Sequence, residues 1–179
     1  MHLFATLLAS LAIGGGGPLP GLQRTPPPWR PEYAHLQQRV RRLGLPPVSD
    51  VIYHVHALLH VYVNGKPVAV PANVGIDYGR NFITSLHTHD RSGVIHMEAT
   101  RKYPFRLVDF FDVWGVAFGR NRLGAYTSRG ARRVWTFVDG RRVRHPESYV
   151  MKRHDNIVVA YGRAGSFPKR PSTAALVGY

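Results

Sequence analysis

The sequence predicts an α+β domain that consists mostly of β-strands. Asn64-Gly65 and Asp139-Gly140 each separate two short segments rich in β-branched and aromatic residues, which is typical of β-hairpins. Residues 105–114 (FRLVDFFDVW) instead place apolar side chains at helical spacing, and a glycine follows them. We therefore predict antiparallel hairpins with one short aromatic helix, in a β-grasp-like fold or, as the alternative, a β-sandwich.

The amino-terminal segment has the pattern of an export signal. Residues 3–13 (LFATLLASLAI) form an apolar run of 11 residues, and four glycines follow it. The run is too short to span a bilayer as a helix but has the length of the apolar part of a secretory signal. We predict that residues 1–17 are a signal or anchor segment, and that the protein is secreted or tethered to the cell envelope.

The rest of the chain divides by composition into three parts. Residues 18–48 contain many prolines and one short helical pattern, so they are predicted to be a Pro-rich linker with a short helix. Residues 49–163 hold the strand patterns and most of the histidines, and they are predicted to form a histidine-rich globular domain. Residues 164–179 contain Pro, Ser and Arg and are predicted to be a tail.

The charge balance limits the classes of partner. The chain has 24 Lys and Arg against 10 Asp and Glu, and its formal net charge is +14. An excess of this size indicates an anionic polymer or an anionic membrane or wall surface, although a bias of composition toward arginine would give the same count. The arginines are scattered and no nucleic-acid-binding motif accompanies them. With no cysteine in the chain, disulfides, thiolate metal ligands and a cysteine nucleophile are excluded.

Histidines concentrate in two segments that are predicted to be strands. The chain has 10 histidines, and one group lies in YHVHALLHVYV (53–63) while another lies in SLHTHDRSGVIHMEA (85–99). Side chains two residues apart share one face of a strand. A turn over residues 90–93 would also place His87 opposite His96. The pattern thus predicts a histidine cluster on one face of adjacent strands.

Such a cluster is typical of a metal site. Imidazole nitrogens bind zinc at about 2.0–2.1 Å, and three of them leave a position for water or substrate. We predict a transition metal, zinc or copper, held by five histidines: His87, His89, His96, His54 and His56. Zinc would suit hydrolysis and copper would suit redox chemistry, with Glu98 or Asp90 as the candidate acid/base. In the alternative interpretation, the histidines hydrogen-bond core groups and Asp90 makes a turn.

Several of these segments together resemble a known group of proteins. YHVHALLHVYVNG, LHTHDRSGVIHMEA and FRLVDFFDVWG are similar to motifs of an uncharacterised family of bacterial and archaeal exported proteins, over about residues 53–162. That family has a histidine-bearing strand before a VNG turn, an HTHDxSGxIHxE hairpin and an FFxxWG helix. The resemblance implies an exported domain in which both histidine motifs belong to one unit. It implies no activity, and the arginine excess of this chain departs from the family.

Three functions are consistent with these observations. The first is an exported or envelope-tethered domain that binds a metal through strand histidines. The second is a metal-dependent hydrolase or oxidoreductase that uses the same site. The third is a basic module that binds an anionic polymer. The sequence does not determine whether the protein is an enzyme.

Overall fold

A computed structural model describes residues 17–179. The signal or anchor segment predicted at residues 1–17 therefore lies outside the described residues, apart from Gly17. Among residues 17–179, no helix has both the length and the apolar character needed to cross a membrane.

The described chain contains twelve strands and two α-helices. The helices are α1 (Leu36–Leu43) and α2 (Leu107–Trp114). The strands are β1 (Tyr53–Val63), β2 (Lys66–Val68), β3 (Ile76–Asp77), β4 (Phe82–Ile83), β5 (Leu86–His87), β6 (Val94–Ala99), β7 (Phe118–Gly119), β8 (Arg122–Leu123), β9 (Tyr126–Thr127), β10 (Arg133–Val138), β11 (Arg141–Val143) and β12 (Asn156–Gly162). This content confirms the predicted α+β, mostly β class.

One seven-stranded sheet organises the domain. Its strands follow the order β11-β10-β12-β1-β6-β5, and β2 pairs with β1 beyond the end of β6. The central strands β1 and β12 run parallel, whereas the other pairs of this sheet are antiparallel. A hairpin, a helix, a second hairpin and a last strand parallel to the first make the β-grasp-like arrangement, and a single large sheet disfavours the sandwich. The parallel pair was not predicted, because strands so distant in sequence leave no local pattern.

Both predicted hairpin turns are present. Asn64 and Gly65 have φ angles of 49° and 83°, and Asp139 and Gly140 have φ angles of 50° and 80°. These left-handed conformations match the twist of two-residue hairpin loops, and Asn, Asp and Gly adopt them at low cost. The turns therefore set the registers of β1 with β2 and of β10 with β11.

The main core lies between one face of the sheet and α2. Phe110, Phe111 and Trp114 are fully buried, and they pack in one cluster with alternate residues of β1 such as Ala57 and Leu59. The helix ends at Gly115, whose φ of 83° lets its backbone N–H reach the carbonyls of the last turn. The predicted aromatic helix and its role in the core are thus found in the structure.

Residues 18–48 differ from the predicted linker, because they are part of this core. Trp29 and Leu36 are only 2% and 1% exposed, and the Trp29 ring meets the Trp114 ring edge-on at 5.9 Å. Arg39 is fully buried, and its Nε donates to the Asp112 carbonyl at 2.6 Å. Proline content suggested an extended spacer, but the apolar side chains between the prolines find buried positions. The folded domain therefore begins well before residue 49.

The segment 164–179 packs on the opposite face of the sheet. Phe167 is buried against Phe137, and Leu176 is buried with Leu58 of β1. The Asn156 amide also donates to the Pro171 carbonyl at 2.7 Å. The predicted tail is thus held against the sheet, on the same face as the histidines.

Candidate metal centre

Four of the five predicted histidines lie in a row across three neighbouring strands. In the register of β1 with β6, His56 is opposite His96 and His54 is opposite Glu98. In the register of β5 with β6, His87 is also opposite His96, as the turn over residues 90–93 predicted. Because side chains alternate along a strand, all of these project from the face opposite α2.

One triad of histidines forms between β1 and β6. The Nε2 atoms of His54 and His56 lie 3.2 Å and 3.1 Å from Nδ1 of His96. His56 and His96 are buried, whereas His54 is exposed. The candidate ligand atoms of the three rings all lie within 4.8 Å of one another.

A second triad forms on the β5 side and uses His96 again. Nε2 of His87 lies 3.2 Å from Nε2 of His89, and the His89 ring centroid lies 4.5 Å from that of His96. His87 is fully buried, and its ring stacks on His96 at 5.1 Å. His89 is exposed and follows the end of β5, so it belongs to a turn rather than to the longer strand that we predicted.

These distances suit a metal ion. Four nitrogens that bind zinc at about 2.0–2.1 Å in a tetrahedron lie about 3.3 Å apart. The nitrogen separations of 3.1–3.2 Å are close to that value. The structure therefore brings all five predicted ligands together at distances compatible with metal binding.

Burial keeps the three inner rings neutral. Loss of hydration lowers the pKa of His56 and of His87 to about 4 and that of His96 to about 3, and the neighbouring histidines add to the decrease. At neutral pH these imidazoles therefore carry no charge, which is the form that binds metal.

A hydrogen bond also orients His87. Its Nδ1 lies 2.9 Å from the Thr84 carbonyl oxygen. A carbonyl only accepts hydrogen bonds, so Nδ1 of the neutral ring carries the proton and donates it. The lone pair is then on Nε2, which faces the other histidines. Such a bond to the far nitrogen is the usual support of a metal-binding histidine.

The two candidate acid/base residues occupy different positions. The Glu98 side chain is 13% exposed, and its Oε1 lies 3.2 Å from Nε2 of His54 and 3.8 Å from Nε2 of His87. Asp90 is exposed, and its Oδ1 accepts the backbone N–H of Ser92 at 2.9 Å. The hydrogen bond from the Ser92 hydroxyl, together with this backbone hydrogen bond, lowers the pKa of Asp90. Glu98 therefore belongs to the cluster, and Asp90 shapes the turn.

Tyr179 and His154 are neighbours of the cluster that the sequence did not indicate. The Tyr179 ring lies 4.4 Å from the His56 ring and 5.6 Å from the His96 ring. His154 holds this arrangement, because its Nε2 lies 2.9 Å from the Tyr179 carbonyl oxygen and its backbone N–H donates to the His56 carbonyl at 2.7 Å. Both residues are distant in sequence from the histidine motifs, so no spacing could link them.

Comparison with known proteins gave no relative for this chain. No family model matches it, and no curated protein or solved structure matches it either. The resemblance to exported proteins stays a prediction, and the function has to be argued from the geometry of the histidine cluster.

Proposed function

We propose that this protein is an exported or envelope-tethered domain that binds a transition metal, zinc or copper, through its strand histidines. The observation that carries the proposal is the convergence of five imidazoles, four of them from three adjacent strands: His54, His56, His87, His89 and His96. Three of the five are buried and neutral at pH 7, so ring nitrogens are available without loss of a proton.

The donor set supports the choice of metals. Imidazole nitrogens suit zinc and copper, whereas calcium and magnesium prefer oxygen ligands. The chain has no cysteine, so thiolate does not compete as a ligand. Among residues 17–179, Glu98 is the carboxylate that lies against ligand nitrogens on both sides of the cluster.

The proposed location rests on the sequence. The apolar run 3–13 and the glycines after it support export, as does the resemblance to exported proteins. We expect the protein in the secreted or envelope fraction of the cells that make it. Cell fractionation with an antibody against the folded domain tests this, and recovery in the cytoplasmic fraction alone would contradict it.

Metal content is the direct test of the binding function. We expect the full chain, purified without an affinity tag, to contain near-stoichiometric zinc or copper by inductively coupled plasma mass spectrometry. The His87→Ala/His89→Ala variant should bind less metal than the wild type, because the second triad then keeps only His96 while the first triad stays intact. His145→Ala is the matched control, since His145 is exposed and lies outside both triads. An empty wild-type protein that also fails to bind added zinc and copper would refute the proposal.

A metal-dependent hydrolase or oxidoreductase is the second candidate. It is favoured by the position of the Glu98 carboxylate, which lies beside two candidate ligands and could move a proton to or from a metal-bound water. We expect such an enzyme to hydrolyse 4-nitrophenyl acetate when loaded with zinc, or to consume oxygen with ascorbate when loaded with copper. A metal-loaded protein without either activity would contradict the enzymatic function and leave metal binding as the remaining function.

A further inference from the structure

The histidine cluster contains more ligands than a single zinc ion uses. Five imidazoles form the two triads and the Glu98 carboxylate lies beside His54 and His87, whereas structural zinc sites take four ligands and catalytic sites take three and a water. A single zinc ion would therefore leave at least two of these six donors unused. The surplus is therefore informative about the number of ions.

His96 divides the cluster into two parts. It is the one histidine that belongs to both triads. Nδ1 of His96 is the atom that meets His54 and His56, at 3.2 Å and 3.1 Å. Since an imidazole has two ring nitrogens, Nε2 of His96 remains for a second ion.

Glu98 joins the same two parts. Its Oε1 lies 3.2 Å from Nε2 of His54, which belongs only to the first triad, and 3.8 Å from Nε2 of His87, which belongs only to the second. A carboxylate has two oxygens and a negative charge, so it can bind two cations at once and reduce the repulsion between them.

The solvent exposure of the side chains also differs between the centre of the cluster and its two ends. The shared residues, His96 and Glu98, lie at the centre and are 5% and 13% exposed. His54 and His89 lie at the two outer ends and are both exposed, each in one triad only. The cluster is thus open to solvent at two points, one beside each triad.

We propose that the cluster is a dinuclear centre, in which each triad binds one metal ion and His96 and Glu98 are shared by both ions. The inference rests on the proposed metal-binding function and specifies its stoichiometry. The first ion takes His54, His56 and Nδ1 of His96. The second takes His87, His89 and Nε2 of His96, whose ring proton is released to solvent when both ions are bound.

Native mass spectrometry of the full chain titrated with Zn²⁺ tests the stoichiometry. We expect two zinc ions per chain in the wild type and one in each of the His54→Ala and His89→Ala variants. Both substitutions are at exposed positions, so folding is not at risk, and circular dichroism checks this. The His145→Ala control should still bind two ions. One ion in the wild type would overturn the dinuclear centre and leave the proposed function intact, whereas none would overturn both.

Copper gives an independent readout of the shared ligands. Two copper(II) ions joined by bridging ligands couple magnetically, so the paramagnetic resonance signal per ion should fall as the second equivalent binds. In the His89→Ala variant, the first equivalent should give a full and uncoupled signal. Two equivalents that bind to the wild type with a doubled, uncoupled signal would overturn the sharing of His96 and Glu98.

Discussion

His87 shows how single residues prepare the cluster for metal. The side chain is fully buried, and its Nδ1 donates to a backbone carbonyl of the same chain segment, at Thr84. The ring can therefore neither rotate freely nor exchange its tautomer without losing a buried hydrogen bond. The cost of orienting this ligand is met during folding, which favours tight binding once the fold has formed.

Glu98 gives a test of electrostatics at the scale of one residue. We predict that Glu98→Gln weakens the binding of metal about 10–100-fold, because a neutral amide no longer compensates the charge of the cation. Competition with a chromophoric chelator measures the dissociation constant. Glu147→Gln is the control, since Glu147 lies beside the exposed His145 and should have no effect. Equal metal affinities in the wild type and in Glu98→Gln would show that Glu98 does not contribute to metal binding.

Asp112 gives a prediction about pH. Burial raises the pKa of Asp112 from 3.8 to about 7, and Asp109 adds to the increase. The folded state therefore holds a proton that the unfolded state lacks between about pH 4 and pH 7, so this residue contributes less to stability as pH rises through that window.

The Asp112→Asn variant isolates this contribution. Asparagine stays neutral, so we expect its stability relative to the wild type to improve as pH rises from 5 to 8. Urea unfolding at each pH, with zinc and copper removed by a chelator, measures the difference. Asp50→Asn, at an exposed position, should follow the wild type throughout. A difference between Asp112→Asn and wild type that does not change with pH would refute the prediction.

At the scale of elements, local chemistry explains which parts were predictable. The two hairpins depend on Asn-Gly and Asp-Gly pairs, and α2 depends on an apolar spacing that ends at a glycine, so each can be found in a short window. The segment 18–48 was misassigned because its prolines dominate its composition. Burial of Trp29 is decided by Trp114, which lies far along the chain.

Trp29 is the test of that corrected assignment. We predict that Trp29→Ala lowers the free energy of unfolding by about 3–5 kcal/mol, as is usual when a buried aromatic side chain is removed. Its ring packs against Trp114 and is 2% exposed. Guanidinium unfolding measures the change, and Tyr78→Ala is the control, because Tyr78 is 74% exposed. A loss as small as that of the control would mean that residues 18–48 are a linker after all.

At the scale of the whole molecule, too, the residues of the site that follow a local pattern could be predicted from the sequence, whereas those brought in by the tertiary fold could not. Five of its histidines could be predicted, because a period of two places them on one face and a short turn brings His87 opposite His96. Tyr179 and His154 could not, since the tertiary fold alone brings them to the cluster. The membership of His96 in two triads was also invisible in the sequence, because it depends on how the tertiary fold arranges the other four histidines around its ring.

The net charge of +14 belongs to the whole molecule as well. If the protein acts as a basic module, we predict that it binds phosphatidylglycerol vesicles and that its affinity falls roughly 10-fold or more between 50 mM and 200 mM salt, because counterions screen scattered surface charges. Vesicle sedimentation measures the binding, with phosphatidylcholine vesicles as the control. Affinity that is unchanged by salt would exclude this function.

The parallel pairing of β1 with β12 has a consequence for biogenesis. β12 lies between β1 and β10, so neither strand can pair with β12 until residues 156–162 have been synthesised, although β1 can already pair with β2 and β6, and β10 with β11. Pairings this distant in sequence also form slowly. The nascent chain consequently lacks its central strand for most of translation. If the chain is exported, as we propose, a secretion channel that threads unfolded polypeptides would receive it before β12 has completed the sheet.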